Sequence, residues 1–326
     1  MNKDHYNSLC EERWPRGRRR TPGERIASNR RSWVQIPFSP PEGEEGGIFP
    51  LFYFIMKTAE ILKKYNIFLK KSLGQNYLTS TNIPKKIVNF TEIDKSFVCI
   101  EIGTGLGILT SEISKRAKIV FSYEIDKRLI QVHKDLIKEN NVIIKYENFL
   151  KADLNIYRGE KIAYVANIPY NITSPILEKI FFDSPKFEFI VLMVQREFAQ
   201  RMNASMSTKE YGAMTVNLNT QADFIKGFDV KSSEFIPKPK VDSSVIKILP
   251  NYKIKKSDFK EFRKFVNLCF SQRRKKLKNN LKNISENPLE LLKTVSIDEN
   301  ARAEQLSIKE FINLFYAYKK YKEITS

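Results

Sequence analysis

Three short stretches of this 326-residue chain hold residues at spacings that could do chemistry. The first, Glu101-Ile-Gly103-Thr-Gly105-Leu-Gly107, closes an apolar run from Phe97 to Ile102 and precedes a helix-period stretch ending at Arg116. A glycine turn between strand and helix lets a ligand approach the backbone closely and sets it at the helix N-terminus. The second is Glu124, 17 residues past Gly107 at the end of the next apolar run, where a carboxylate can accept hydrogen bonds from both hydroxyls of a ribose. Each has a plainer reading, as a tight turn or a surface acid; as a pair they read as an adenosine site. A dinucleotide is disfavoured, because position 108, where its fingerprint needs a third glycine, is Ile. The third is Asn167-Ile-Pro169-Tyr170, which ends the run from Ile162 to Ala166. Moving a methyl group to an exocyclic amine requires acceptors that hold the N–H bonds and turn the nitrogen lone pair toward the methyl. The Asn167 side-chain oxygen and the Pro169 carbonyl can do this, and the Tyr170 ring can hold the base. Such an amine needs positioning more than proton removal, so a neighbouring His or Cys is not required.

The elements that must position these residues follow from periodicity. Short β-branched runs (97 to 102, 119 to 123, 142 to 146, 162 to 166 and 187 to 194) alternate with helix-period stretches, which predicts βαβ units and a parallel sheet buried on both faces. After Pro250 the strand patterns stop. Phe259, Phe262, Val266, Cys269 and Phe270 recur at helical spacing, and further helical patterns run from Pro288 to Leu292 and from Ile308 to Tyr321. The expected architecture is an α/β domain over 56–250 and a small helical domain over 251–326.

Composition narrows the function. With 42% apolar and 29% charged residues the chain is globular, and three scattered cysteines and two lone histidines assemble neither a disulfide framework nor a zinc site. A reducing, cytoplasmic setting and metal-free chemistry are expected. The apolar run from Ile48 to Met56 is too short to span a bilayer. Residues 1–55 differ from the rest in holding both tryptophans and 8 arginines to 1 lysine, whereas 9 arginines and 38 lysines follow. Met56 is therefore the expected initiator; the alternative is a disordered basic arm, and a secretory or transit peptide fits less well. The net charge of +19 survives removal of that segment as +17, which predicts a polyanionic partner. Within 253–282 there are 12 Lys or Arg against Asp258 and Glu261, and so dense a cluster repels itself unless an anion neutralises it. Phe262, Val266 and Phe270 are expected to pack one face there, leaving Arg273, Arg274, Lys275, Lys276 and Lys278 for the phosphates of structured RNA. The target base would then be selected in the pocket, unstacked or flipped out.

The glycine turn behind an acid resembles motif I of S-adenosylmethionine methyltransferases. With the Asn-Ile-Pro-Tyr turn, the chain resembles the ribosomal RNA adenine N6,N6-dimethyltransferase family over nearly everything from Lys70 to Leu306. Lys71-Ser-Leu-Gly74-Gln75-Asn76-Tyr77-Leu78 resembles the family's N-terminal cofactor motif, which implies that Asn76, and Leu78 through its backbone, contact the methionine part. Phe235-Ile-Pro237-Lys-Pro239-Lys240-Val241-Asp242-Ser243-Ser244-Val245 resembles its late motif, which implies Phe235 as a second wall for the target base. Arg273-Arg274-Lys275-Lys276-Leu277-Lys278-Asn279-Asn280-Leu281 and Arg302-Ala-Glu304-Gln-Leu306-Ser307 resemble the small-subunit branch. The resemblance implies a Rossmann-like class I methyltransferase sheet with S-adenosylmethionine held by Asn76, Leu78, Gly103, Gly105, Glu124, Asn148 and Asn167, and catalysis by Asn167, Pro169, Tyr170 and Phe235. Asn148 departs from the family, which usually has Asp there; its oxygen is expected still to accept from the adenine amine, with lower affinity.

The implied activity is dimethylation of adenine N6 in small-subunit (16S) ribosomal RNA, at two adjacent adenines of a 3'-terminal hairpin loop, by a monomer acting in ribosome biogenesis. Alternatives are the large-subunit (23S) branch, which confers macrolide resistance, and a non-catalytic assembly or transcription factor on the same fold. A DNA adenine methylase shares the Asn-Pro-Pro-Tyr logic, but Ile168 replaces its middle proline and the late motif does not fit.

Overall fold

The computed structural model describes residues 58–70 and 73–325, all within one compact unit. The expectations for residues 1–55 and for Met56 as initiator lie outside the described residues, as do Lys71 and Ser72 of the N-terminal motif.

After a helix over 58–64 come a two-residue strand, Tyr77–Leu78 (β1), and the helix Asn82–Thr91 (α1). Alternation then sets in with Phe97–Ile102 (β2), Ile108–Ser114 (α2), Ile119–Tyr123 (β3), Ile130–Leu136 (α3), Val142–Lys145 (β4), Lys161–Asn167 (β5), Thr173–Asp183 (α4) and Phe189–Gln195 (β6). Arg196–Met202 (α5) and Ala213–Asn219 (α6) lead to Ala222–Val230 (β7), Phe235–Ile236 (β8) and Ser243–Pro250 (β9). The remaining α-helices are Phe259–Cys269 (α7), Leu277–Leu281 (α8), Pro288–Thr294 (α9) and Ile308–Thr325 (α10).

Seven strands form one sheet in the order β4-β3-β2-β5-β6-β9-β7, while β1 pairs antiparallel with β8 as a separate ribbon. The first five strands in that order run parallel, but β9 runs antiparallel to both β6 and β7, so the sheet is mixed and not all parallel as expected. The cause is local. A parallel return needs a crossover, usually a helix, and the link from β7 to β9 holds only a 3-10 turn and β8. Every residue of β2 is buried, and β5 and β6 are buried along nearly their whole length, which is why these strands read as continuous apolar runs without alternation. Their side chains form one core with Ile87, Val88, Leu109 and Ile113 of the flanking helices. Strand order reverses at β2, which has β3 on one side and β5 on the other, and the crevice past its carboxyl end is where α/β sheets take ligands.

A second core joins the C-terminal helices. In α7 the buried residues Phe259, Phe262, Phe265, Val266 and Cys269 make one stripe, and Phe262 meets Phe315 of α10 edge to face with centroids 5.3 Å apart. This core draws in Tyr211 and Val216, which lie before residue 250, and the Tyr211 hydroxyl donates to the Leu306 carbonyl at 2.7 Å. The helix ends at Cys269, so Arg273, Arg274 and Lys275 sit in the turn between α7 and α8 and not on the continued helix face that the spacing predicts. Phe270, just past the helix, packs against this core and stacks on Phe311.

Candidate active site

The crevice at the switch point is one cleft. Its lining includes Gly74, Asn76, Tyr77 and Leu78 from the N-terminal segment and Gly103 and Gly105 from the turn after β2. Glu124 after β3, Asn148 after β4, and Asn167, Pro169 and Tyr170 after β5 complete it. The structure thus gathers residues from five separate stretches, each at the carboxyl end of a strand or on the ribbon beside them. Parallel strands in register are what bring those ends together.

The glycine turn is built by backbone constraints. Gly103, Gly105 and Gly107 have φ of +83°, +56° and +83°. At Gly107 a side chain is excluded twice, by that dihedral and because a Cβ would lie 2.6 Å from Ile137 Cδ1. Glu124 fastens the turn to β3: its Oε2 accepts from the Gly105 N–H at 3.0 Å and its Oε1 from the Asp126 N–H at 2.7 Å. Burial raises the Glu124 carboxyl above its ordinary range against the opposing pull of those N–H groups. Each oxygen keeps a lone pair for a ligand hydroxyl.

Asn148 does a second job. Its Oδ1 accepts from the Leu150 N–H at 3.0 Å and caps a 3-10 turn at Phe149–Lys151. The oxygen expected to face an adenine amine therefore already holds one N–H and keeps a single lone pair, and the other end of the same carboxamide is a donor.

Past β5, Asn167 lines the cleft with no hydrogen bond to its side chain among the described residues. The Tyr170 hydroxyl lies 2.6 Å from Ser243 Oγ, which pins the ring from the start of β9. Phe235 is placed differently. It is 2% exposed, pairs with Leu78 across the β1–β8 ribbon and packs in the main core, outside the cleft lining. Asn76 donates to the Gly74 carbonyl at 3.2 Å, and the Leu78 carbonyl accepts from the Thr58 hydroxyl at 3.3 Å.

Glu101, the acid ahead of the glycine turn, is fully buried: its Oε2 accepts from the Thr110 and Ser122 hydroxyls, its Oε1 has no partner among the described residues, and burial pushes its pKa up to about 8. Other working residues escape a reading of the chain. Asp126 ties the N-terminal segment down, since its Oδ2 accepts from Gln75 Nε2 at 2.7 Å and from Arg128, which also donates to the Phe68 carbonyl. Burial opposes the Asp126 charge, but the bonds from Arg128 and Gln75 hold its carboxyl below the ordinary range. The one available signal was the spacing Glu124-x-Asp126-x-Arg128 after a strand. His133 and Ser243 offered none.

The basic cluster divides. Arg273 is committed internally, with Nε to Glu304 at 2.7 Å and its terminal nitrogens to the Lys209 and Thr208 carbonyls. Lys276 donates to Asn300 at 2.6 Å, and Lys278 lies 3.7 Å from Glu299. Arg274 and Lys275 are exposed.

Among the described residues there is no group of acids, histidines or cysteines that could hold a metal ion, and no helix is long and apolar enough to cross a membrane.

A mixed sheet with its glycine turn after the switch-point strand, an acid after the next strand and a polar Asn-Ile-Pro-Tyr turn after β5 defines a class I S-adenosylmethionine methyltransferase. A family model described as ribosomal RNA adenine dimethylase matches residues 67–320, and the chain belongs to that family. It is 40% identical over 275 residues to Ribosomal RNA small subunit methyltransferase A of Ligilactobacillus salivarius (strain UCC118), covering 79% of this chain and 93% of that one. The same description applies to a Thermotoga neapolitana relative, 40% identical over 267 residues, covering 81% of this chain and 97% of the relative. Of solved structures, a dimethyladenosine transferase from Plasmodium falciparum matches with a TM-score of 0.66 at 28% identity, covering 75% of this chain and 98% of that one. The 23S rRNA methyltransferase ErmE matches with a TM-score of 0.58 at 25% identity, covering 74% and 99%.

Proposed function

We propose that the chain dimethylates N6 of adenines in small-subunit ribosomal RNA, at two adjacent adenines of a 3'-terminal hairpin loop, using S-adenosylmethionine. The observation that carries this is the convergence of Glu124, Asn148 and the Asn167-Ile-Pro169-Tyr170 turn on one cleft, in a chain 40% identical to small-subunit enzymes. The 23S enzyme, at 25% identity, is the more distant likeness.

The cleft fits the cofactor. Glu124 supplies acceptors for two ribose hydroxyls, the side-chain-free Gly103 and Gly105 leave the backbone open, and Asn76 and Leu78 line the same cleft for the methionine part. When bound, S-adenosylmethionine supplies an electrophilic methyl group on a sulfonium. The chain's own residues then act on the acceptor base. The Asn167 side-chain oxygen and the Pro169 carbonyl accept the two N–H bonds of the exocyclic amine, which turns its lone pair out of the ring plane and toward the donor. Tyr170, its hydroxyl tied to Ser243, offers a ring of fixed orientation for stacking, worth about 1–3 kcal/mol per base. The acceptor nitrogen carries a positive charge once the methyl is bonded to it and is then strongly acidic, so no strong base is needed and its proton leaves to water. Phe235, buried in the main core, does not stand in the cleft as a second wall for the base.

The helical segment after residue 250 faces the RNA, with exposed Arg274 and Lys275 contacting phosphates that set register and carry no sequence information. The test is methyl transfer to under-methylated small-subunit particles, read by mass spectrometry of the 16S RNA, with wild type and Asn167→Ala. Two adjacent dimethyladenosines with wild type and none with the variant are expected, at unchanged RNA affinity. Methylation of 23S RNA instead, or an Asn167→Ala variant as active as wild type, refutes the reading.

A further inference from the structure

We propose that His133 is a positioning residue for the cofactor turn, holding the Gly105 carbonyl so that the turn stands ready for S-adenosylmethionine. The inference rests on the cofactor assignment above. His133 projects from α3 beneath the turn and is buried. Its Nε2 lies 2.7 Å from the Gly105 carbonyl oxygen, which can only accept, so Nε2 carries the hydrogen. Nδ1 lies 2.9 Å from the Tyr146 hydroxyl, and in the neutral ring Nδ1 must accept, so Tyr146 donates and thereby fixes the tautomer. The two rings stack with centroids 5.7 Å apart and planes at 20°. Burial keeps the imidazole pKa below its ordinary value, consistent with the neutral form.

The same glycine is held from its other end, because its N–H donates to Glu124. Gly105 is thus clamped between α3 and the end of β3. Tyr146 in turn sits two residues before Asn148. One hydrogen-bonded bridge therefore connects the glycine turn, α3 and the loop expected to meet the adenine. Three glycines at positive φ have no side chains with which to order themselves, so a turn made of them loses much conformational freedom on adopting one shape. A donor fixed on a packed helix carries that cost before the ligand arrives, and its removal reappears as lost affinity.

The experiment compares wild type, His133→Phe, His133→Gln, Tyr146→Phe and Glu124→Ala as full chains, by calorimetry with S-adenosylmethionine and by steady-state methylation. His133→Phe is expected to weaken cofactor binding roughly tenfold, as for a buried carbonyl deprived of its donor. KM for the cofactor should rise by the same factor, while kcat and KM for RNA stay within about twofold. His133→Gln, whose amide N–H reaches the same carbonyl, should recover most of the affinity. Tyr146→Phe should fall between, since the ring is then free to adopt the other tautomer, which presents a lone pair to the carbonyl. Should His133→Phe fail to fold, Tyr146→Phe and His133→Gln decide the matter. Wild-type affinity in His133→Phe or in Tyr146→Phe overturns the proposal, and so does a His133→Gln variant whose affinity is down the full tenfold expected for loss of the donor. Absence of S-adenosylmethionine binding by wild type would instead remove the cofactor assignment itself, and normal binding by Glu124→Ala would remove Glu124 as its ribose ligand.

Discussion

Gly74 lies directly against Pro169: a Cβ on residue 74 would stand 2.9 Å from Pro169 Cβ and 3.3 Å from Asn171 Oδ1. The N-terminal motif and the Asn-Ile-Pro-Tyr turn, nearly a hundred residues apart in the chain, therefore set one another's position. Gly74→Ala, at φ +60°, has to push the two apart. Methyl transfer should drop by a factor on the order of 100, because displacement of reacting groups by about 1 Å can cost that much. The stability loss should be about 1–2 kcal/mol, the cost of a side chain in the left-handed region. Single-turnover rates beside thermal unfolding check this; an unchanged rate would show that the contact is incidental.

Asn148→Asp should tighten the cofactor. One oxygen of Asp keeps the Leu150 N–H that Asn148 Oδ1 now accepts, and the second becomes a charged acceptor for the adenine amine where the carboxamide has a donor. A gain of several-fold in affinity by calorimetry is expected, on the basis that charge-assisted bonds are about twice as strong as neutral ones. Weaker binding would mean that residue 148 does not face the adenine.

Glu101 makes stability fall with rising pH. Its folded pKa, about 8, exceeds the ordinary carboxylate value of 4.5, so between those limits the unfolded chain has lost a proton that the folded one keeps. That contribution is fully present below 4.5 and is lost as pH rises through 8. Glu101→Gln, which keeps the shape and an acceptor for Thr110 and Ser122, should flatten the decline, and its gain in thermal midpoint over wild type should grow from pH 5 to pH 9. A constant difference across that range would show that Glu101 does not titrate as burial requires.

Salt dependence separates the arginines. Arg274→Ala with Lys275→Ala should reduce the slope of log K against log salt by about 1.4 to 1.8 units, for two phosphate contacts at −0.7 to −0.9 each. Arg273→Ala should leave the slope nearly unchanged and lower the thermal midpoint, because its guanidinium holds Glu304 and the carbonyls of Thr208 and Lys209. Equal slopes for wild type and the double variant would reduce the cluster to a solvated surface.

How much of this was legible in the chain varies with the range of the interaction. Continuous apolar runs located β2, β3, β5 and β6 to within two residues, because strands buried on both faces leave no room for polar positions. The glycine turn, Glu124 and the Asn-Ile-Pro-Tyr turn were legible because each is a local pattern, set by backbone dihedrals or by adjacent residues. What escaped was set by packing between distant segments. The antiparallel course of β9, the Arg273 clamp and the bond from Tyr170 to Ser243 join residues separated by 31 to 73 positions. His133, a lone histidine in the sequence, acquires its role only when α3 is laid under Gly105. Residue type and spacing, which act over a few bonds, determined by themselves the alternation of β2 to β6 with helices, an adenosine-type site and the acceptor turn. Tertiary structure alone decided which polar atoms are already satisfied within the protein and which remain free for a ligand, because a hydrogen bond is completed by whichever partner the fold brings within about 3 Å, however far away it lies in the chain.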